Sequence, residues 1–192
     1  MSNPHSETPP IHTARLLLRP FKRTDLPALH HLRTTPEVMR WTRQNRIDTS
    51  VEETQTWMER YLPKTDAEEQ SNCSYNFVVF RKKESGLEED DLIGVLGIVN
   101  FSASEAPEVG YLFLPTVWGM GYATEALKGY AEAWWELRLG GVSGGSLCAV
   151  TDKTNVGSAK VLTKCGWSVV QEGVEEDGVE VLHWVLRRPV EG

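Results

Sequence analysis

Cysteine, long apolar runs and excess positive charge are all scarce in this chain, and each scarcity removes a class of protein. Its three cysteines, Cys73, Cys148 and Cys165, are odd in number and lack the close pairing of a zinc knuckle. They form no disulfide framework and fit a reducing, cytoplasmic setting. No His, Asp and Glu set has metal-ligand spacing, so no metal is expected. No stretch approaches the roughly 20 apolar residues that span a bilayer, and no membrane association is expected. The opening MSNPHSETPPIHT has no basic start followed by an apolar core, so it does not read as a signal peptide. It reads as a disordered lead over residues 1–12. Lys and Arg number 20 against 27 Asp and Glu, a net charge of -7. That sign opposes nonspecific nucleic-acid binding and permits a cationic substrate.

What remains is ample for a folded domain. Of the 192 residues, 40% are hydrophobic, too many for a disordered chain. A chain of this length buries roughly 70% of its extended surface without disulfide or metal staples. ARLLLRP at 14–20 reads as a buried strand. A helix follows from Thr24, with Thr24 or Asp25 as its cap, Pro27 in its first turn, and Leu26, Leu29 and Leu32 at helical spacing. Pro36 begins a short helical piece, and Ser50 with Glu53 three residues on makes a capping box for a helix to about Leu62. YNFVVFR (75–81) and LIGVLGIVNF (92–101) read as a hairpin pair, with Gly94 and Gly97 marking a bulge or bend. EVGYLFL (108–114) is a further strand. A long helix is expected from Gly119 to about Leu139, a strand at 146–150 and a short helix at 155–164. Two closing strands, 167–171 and 179–186, flank the acidic turn EGVEEDG. The sum is one mixed α/β domain over 13–189.

TVWGMGYATE, at 116–125, carries the most chemistry. A strand ends, two glycines turn the chain, and a long helix starts at once. Gly119 and Gly121 allow a tight turn with no Cβ in a ligand's way, and the unpaired N–H groups of a first helical turn favour an anion, phosphate above all. Two other phosphate loops fail on the letters. No GxxxxGK run exists, and Thr124 replaces the third glycine of a dinucleotide fingerprint.

PEVGYLFLPTVWGMGYATEAL resembles the acetyl-CoA motif of the GNAT N-acetyltransferases. ARLLLRPFKRTDLPALHHLRTTPEVMRW and TNVGSAKVLTKCGW extend the likeness, in the order found in the branch that acetylates ribosomal-protein alanines. The resemblance covers about Thr13 to Arg187. It implies the GNAT acyl-CoA N-acyltransferase fold, a central, mostly antiparallel twisted sheet of about seven strands flanked by helices. It also implies acetyl-CoA as co-substrate and an amine acceptor, either a protein N-terminus or a small molecule, in a monomer or homodimer. Acetyl-CoA is expected between the strand ending at Leu114 and the strand from Ser146 to Val150. Unpaired backbone groups near Phe113 and Leu114 hold its pantetheine arm, and one N–H polarises the thioester carbonyl. Thr116 stands where the family has Gln or Arg. The cradle then rests on the backbone of Trp118, Gly119, Met120, Gly121, Tyr122, Ala123 and Thr124.

Attack on a thioester needs a neutral amine, so some group must accept a proton. Glu108, opening the strand that leads to the cradle, is the candidate base, with Glu175 or Asp177 of the acidic turn as rivals. The departing sulfur needs a proton or hydrogen bond. Leu162 occupies the family's usual tyrosine position, which leaves Ser158 or water as donor, and Asn155 to contact the pantetheine arm or tether its helix. His183 reads as a core or edge histidine, His30 and His31 as surface groups, and Cys148 and Cys165 as packing residues. Trp41 and Trp57 lie in the helical region expected to roof the acceptor. An enzyme moving acetyl to a primary amine is the leading reading. A GNAT module that binds acyl-CoA without turnover is the alternative.

Overall fold

The computed structural model describes residues 8–62, 75–82, 89–100, 106–136 and 145–188. Cys73, the connector at 83–88 and the end of the long helix beyond Glu136 lie outside them. Eight strands hydrogen-bond in the order β1-β2-β3-β4-β5-β6-β8-β7. They are β1 (Ile11–His12), β2 (Leu16–Pro20), β3 (Asn76–Lys82), β4 (Glu89–Asn100), β5 (Glu108–Phe113), β6 (Ser146–Asp152), β7 (Ser168–Val174) and β8 (Glu180–Arg187). The helices are α1 (Leu26–Arg33), α2 (Pro36–Met39), α3 (Val51–Glu59), α4 (Tyr122–Glu136) and α5 (Val156–Lys164). Pairing is mostly antiparallel, and β5 meets β6 in parallel at Glu108 and Cys148. The eighth strand is β1. Ile11 and His12 pair with Leu18 and Leu17, inside the segment read as a disordered lead.

The described residues form two compact units, divided at Gly97/Ile98, Gly110/Tyr111 and Tyr122/Ala123, so β4 and β5 contribute to both. In the first unit, Leu29 and Leu32 of α1, Val38 of α2 and Met58 of α3 join Val78, Phe80, Leu92 and Val95 in one buried cluster. The i, i+3 leucine spacing of α1 thus faces the sheet. Ser50 caps α3 by accepting the Glu53 N–H at 3.3 Å, and the Glu53 carboxylate turns back to the Thr49 N–H at 2.8 Å. The expected bulge is present: the β3–β4 register shifts beside Phe80, opposite Gly94 and Leu92, and a Cβ on Gly94 would strike the Leu112 carbonyl.

Asp25 does not cap α1. Arg23–Asp25 form a 3₁₀ turn, and the Asp25 carboxylate receives Arg19 in a two-pronged pair at 2.9 and 2.7 Å, plus the Lys22 N–H at 2.7 Å. A buried guanidinium is a stronger claim on that carboxylate than a helix N–H. A second buried pair ties α1 to α3. Arg33 grips Asp48 at 2.6 and 2.7 Å, Gln44 and Thr54 donate to the same carboxylate, and His30 Nδ1 lies 2.8 Å from the Thr54 hydroxyl. Burial alone would raise the Asp48 pKa, but the hydrogen bonds from Arg33, Gln44 and Thr54 hold it below its ordinary value. His30, read as a surface group, belongs to this lattice. Trp57 is also structural, with the Arg33 guanidinium 4.4 Å above its ring.

In the second unit, Ala126, Leu127, Tyr130 and Trp134 give α4 one buried face, as their spacing predicts. Leu162 of α5 is fully buried. β8 lies between β6 and β7, and Gly178, at φ 85°, closes the acidic turn.

Candidate active site

The turn between β5 and α4 is built by hydrogen bonds of its own. Pro115–Val117 make one 3₁₀ turn, in which Leu114 O accepts the Val117 N–H and Pro115 O the Trp118 N–H, both at 3.1 Å. Met120 N–H then returns to Val117 O at 3.4 Å. Gly119 (φ 77°) and Gly121 (φ 82°) carry the chain through the left-handed region into Tyr122, the first residue of α4. A side chain at either would strain the backbone.

The turn's own bonds leave fewer free donors than the motif implies. The N–H groups of Trp118 and Met120, expected to face phosphate, are spent inside the turn. Those of Gly119 and Gly121 have no acceptor among the described residues, and they are joined by Tyr122, Ala123 and Thr124, whose first-turn position leaves them without intrahelical acceptors. The surviving donors lead directly into the positive end of a 15-residue helix. The site fits an anion by its backbone, and nothing lies within 4 Å of where a Gly119 Cβ would stand.

Leu114 departs from expectation. Its N–H donates to Ile93 O on β4 at 2.9 Å, and its carbonyl is taken by Val117. Successive residues of a strand aim their backbone groups at opposite edges. Phe113 therefore turns its N–H and C=O to the edge away from β4. Its carbonyl is closed by the indole of Trp118, which donates at 2.7 Å while remaining 45% exposed. The Phe113 N–H faces that same edge.

Glu108 is half-buried at the other end of β5. Its position is set by the parallel register with Cys148, whose N–H donates to Pro107 O at 2.9 Å and whose thiol donates to Ala106 O at 3.0 Å. Glu108 and Phe113 are five residues apart, a separation of roughly 16 Å along an extended strand. Asn155 caps α5, its side-chain oxygen accepting the Ser158 N–H at 3.0 Å. That bond tethers the start of α5 and holds half-buried Ser158 in the first turn. Asp177, a rival base, is fixed as a turn acceptor for the Val179 N–H at 3.1 Å. His183 packs its imidazole over Gly173 on β7. Burial pushes the Cys165 thiol up to about 11, so it stays protonated at neutral pH against Thr124 O at 3.5 Å. Among the described residues no cluster could hold a metal, and no helix is long and apolar enough to cross a membrane.

One participant had no signal in the sequence. Arg15, just ahead of β2, donates from Nη1 to the Met120 carbonyl at 3.2 Å and lies 4.3 Å above the Tyr122 ring. The partners are 105 residues apart, and only the fold brings a cation to a turn that is uncharged in its own letters.

An eight-stranded, mostly antiparallel sheet with a glycine turn opening a long helix defines an acetyltransferase of the GNAT class. The chain belongs to that family: the model of the acetyltransferase (GNAT) domain matches residues 15–168. Solved structures share the fold at low identity. A GNAT-family acetyltransferase from Bacillus anthracis is 18% identical, with a TM-score of 0.74 over 93% of this chain and 98% of that one. The ribosomal L7/L12 α-N-protein acetyltransferase RimL, solved with coenzyme A, is 15% identical, with a TM-score of 0.75 over 95% and 100%. Spermidine N-acetyltransferase from Vibrio cholerae, solved with CoA and spermine, is 17% identical, with a TM-score of 0.70 over 92% and 97%. No curated protein matches the sequence.

Proposed function

We propose that the protein transfers the acetyl group of acetyl-CoA to a primary amine, on a protein N-terminus or a small molecule. The observation that carries this reading is the turn at Gly119 and Gly121, whose free N–H groups run into the start of α4. Amides fixed in that way bind a diphosphate without side-chain charge. When bound, acetyl-CoA supplies an activated acyl group. The Phe113 N–H polarises the thioester oxygen, a type of contact worth roughly 3 kcal/mol in the transition state. Glu108 accepts the amine's proton. Its distance along β5 from Phe113 exceeds the roughly 3 Å of direct transfer, so the proton travels through water. The Ser158 hydroxyl, or a water beside it, donates to the departing sulfur. The acidic residues of the β7–β8 turn favour a cationic acceptor.

Calorimetric titration with acetyl-CoA, followed by thiol release over a panel of amines, tests the reading. Binding in the micromolar range and release with at least one amine are expected. No binding at millimolar acetyl-CoA would overturn it. Leu162, fully buried where the family usually places an acidic tyrosine, favours the second reading of a module that binds acyl-CoA without turnover. Glu108→Gln and Ser158→Ala separate the two. An enzyme loses turnover and keeps its acetyl-CoA affinity, whereas a sensor has no turnover to lose.

A further inference from the structure

We propose that Arg15 is a positioning residue for the cofactor's diphosphate, acting as a clamp on the Met120–Gly121 peptide. The inference rests on the acetyl-CoA reading above and adds to it a residue from outside the motif. A trans peptide points its C=O and N–H in opposite directions, and no cis bond occurs among the described residues. The Arg15 bond to Met120 O therefore sets where the Gly121 N–H points, directly away from the guanidinium. That N–H is one of the five donors of the turn that have no acceptor among the described residues. A peptide ending in glycine at φ 82° has little steric resistance to rotation about its own plane. Rotated, it would present the Met120 carbonyl where the diphosphate needs a donor.

Both ends of the clamp are anchored. The Arg15 carbonyl accepts the Lys82 N–H at 2.9 Å, fixing its backbone beside β3. Its guanidinium stacks on Tyr122, which is 8% exposed and opens α4. Nη2 stands 3.5 Å from where a Gly121 Cβ would be, so the guanidinium covers the turn on its carbonyl side. Thr116, at the family's Gln or Arg position, is exposed in the 3₁₀ turn. Arg15 reaches the next peptides along from a distant part of the chain.

The test uses Arg15→Met, which keeps the stem and removes the donors, and Arg15→Lys, which keeps one donor and loses the planar stack. Acetyl-CoA binding to Arg15→Met is expected to weaken about tenfold, with KM rising and kcat at saturation falling less than about twofold. Acetyl-pantetheine, which has no diphosphate, should react equally with wild type and variant, and lysine should recover part of the loss. In the ligand-free variant, the Gly121 amide should acquire microsecond-to-millisecond exchange in relaxation dispersion. Unchanged acetyl-CoA affinity, an equal loss toward acetyl-pantetheine, or full recovery by lysine would overturn the clamp. If wild type itself fails to bind acetyl-CoA, the functional reading falls and the diphosphate role with it. The Gly121 exchange would then still report whether Arg15 holds the peptide.

Discussion

Two polar constructions in this protein solve opposite problems. Between α1 and α3, Arg33, Asp48, Gln44, Thr54 and His30 bond one another, and the Asp48 side chain is fully buried. At the turn after β5, the fixed groups are backbone, and the side chains of Trp118 and Met120 stand 45% and 54% exposed. Both oxygens of the Asp48 carboxylate are taken by donors within the lattice. The turn spends the N–H groups of Val117, Trp118 and Met120 on itself, and five that follow have no acceptor among the described residues. A closed network specifies a fold, whereas an incomplete one marks a binding site.

The largest effect is expected at Asp48. Asp48→Ala leaves the buried Arg33 charge uncompensated, and urea unfolding should show a loss of about 3–5 kcal/mol. Gly121→Ala comes next. A Cβ at φ 82° costs about 1–2 kcal/mol, and calorimetry should show weakened acetyl-CoA binding, an effect that substitutions in the lattice should not produce directly. Trp118→Phe should be milder, at about 1 kcal/mol or less, since it removes one half-exposed hydrogen bond to the Phe113 carbonyl.

Acid should act on Asp48 of the lattice and on the Glu53 cap of α3. The Asp48 carboxyl is held below its ordinary value of 3.8, and Glu53 is lowered to about 2 by hydrogen bonds from Arg46 and Thr49. Groups lowered in the folded state contribute stability above their unfolded values and lose it as pH falls through the folded ones. The urea midpoint should therefore be insensitive to these groups between pH 7 and 5. It should fall from about pH 4.5 toward pH 2, and Asp48→Asn should flatten part of that fall.

The local parts of this molecule were legible in its letters. The 26, 29, 32 leucine spacing, the Ser50 cap and the two glycines before α4 each act within one or two turns of chain, where periodicity and steric rules apply. The glycine turn, linked in order to two flanking motifs, identified the family. What stayed hidden depends on distant partners. Asp25 looked like a helix cap until Arg19 took its carboxylate. Asp48 and His30 gave no hint of meeting across two helices. Trp118 and Met120 looked like phosphate donors because a sequence does not say which N–H groups a 3₁₀ turn will consume. Arg15 lay within a recognised segment, yet its contact with Met120 exists only once β2 and the β5–α4 turn are folded together.

In the proposed function, the open N–H groups of the turn hold the diphosphate of acetyl-CoA. Titrating ¹⁵N-labelled protein with acetyl-CoA and following individual amides tests it most directly. Saturable shifts are expected at Gly119, Gly121, Tyr122, Ala123 and Thr124, with little movement at Arg33, Asp48 and Thr54. Saturable binding that left the five turn amides unmoved would contradict it.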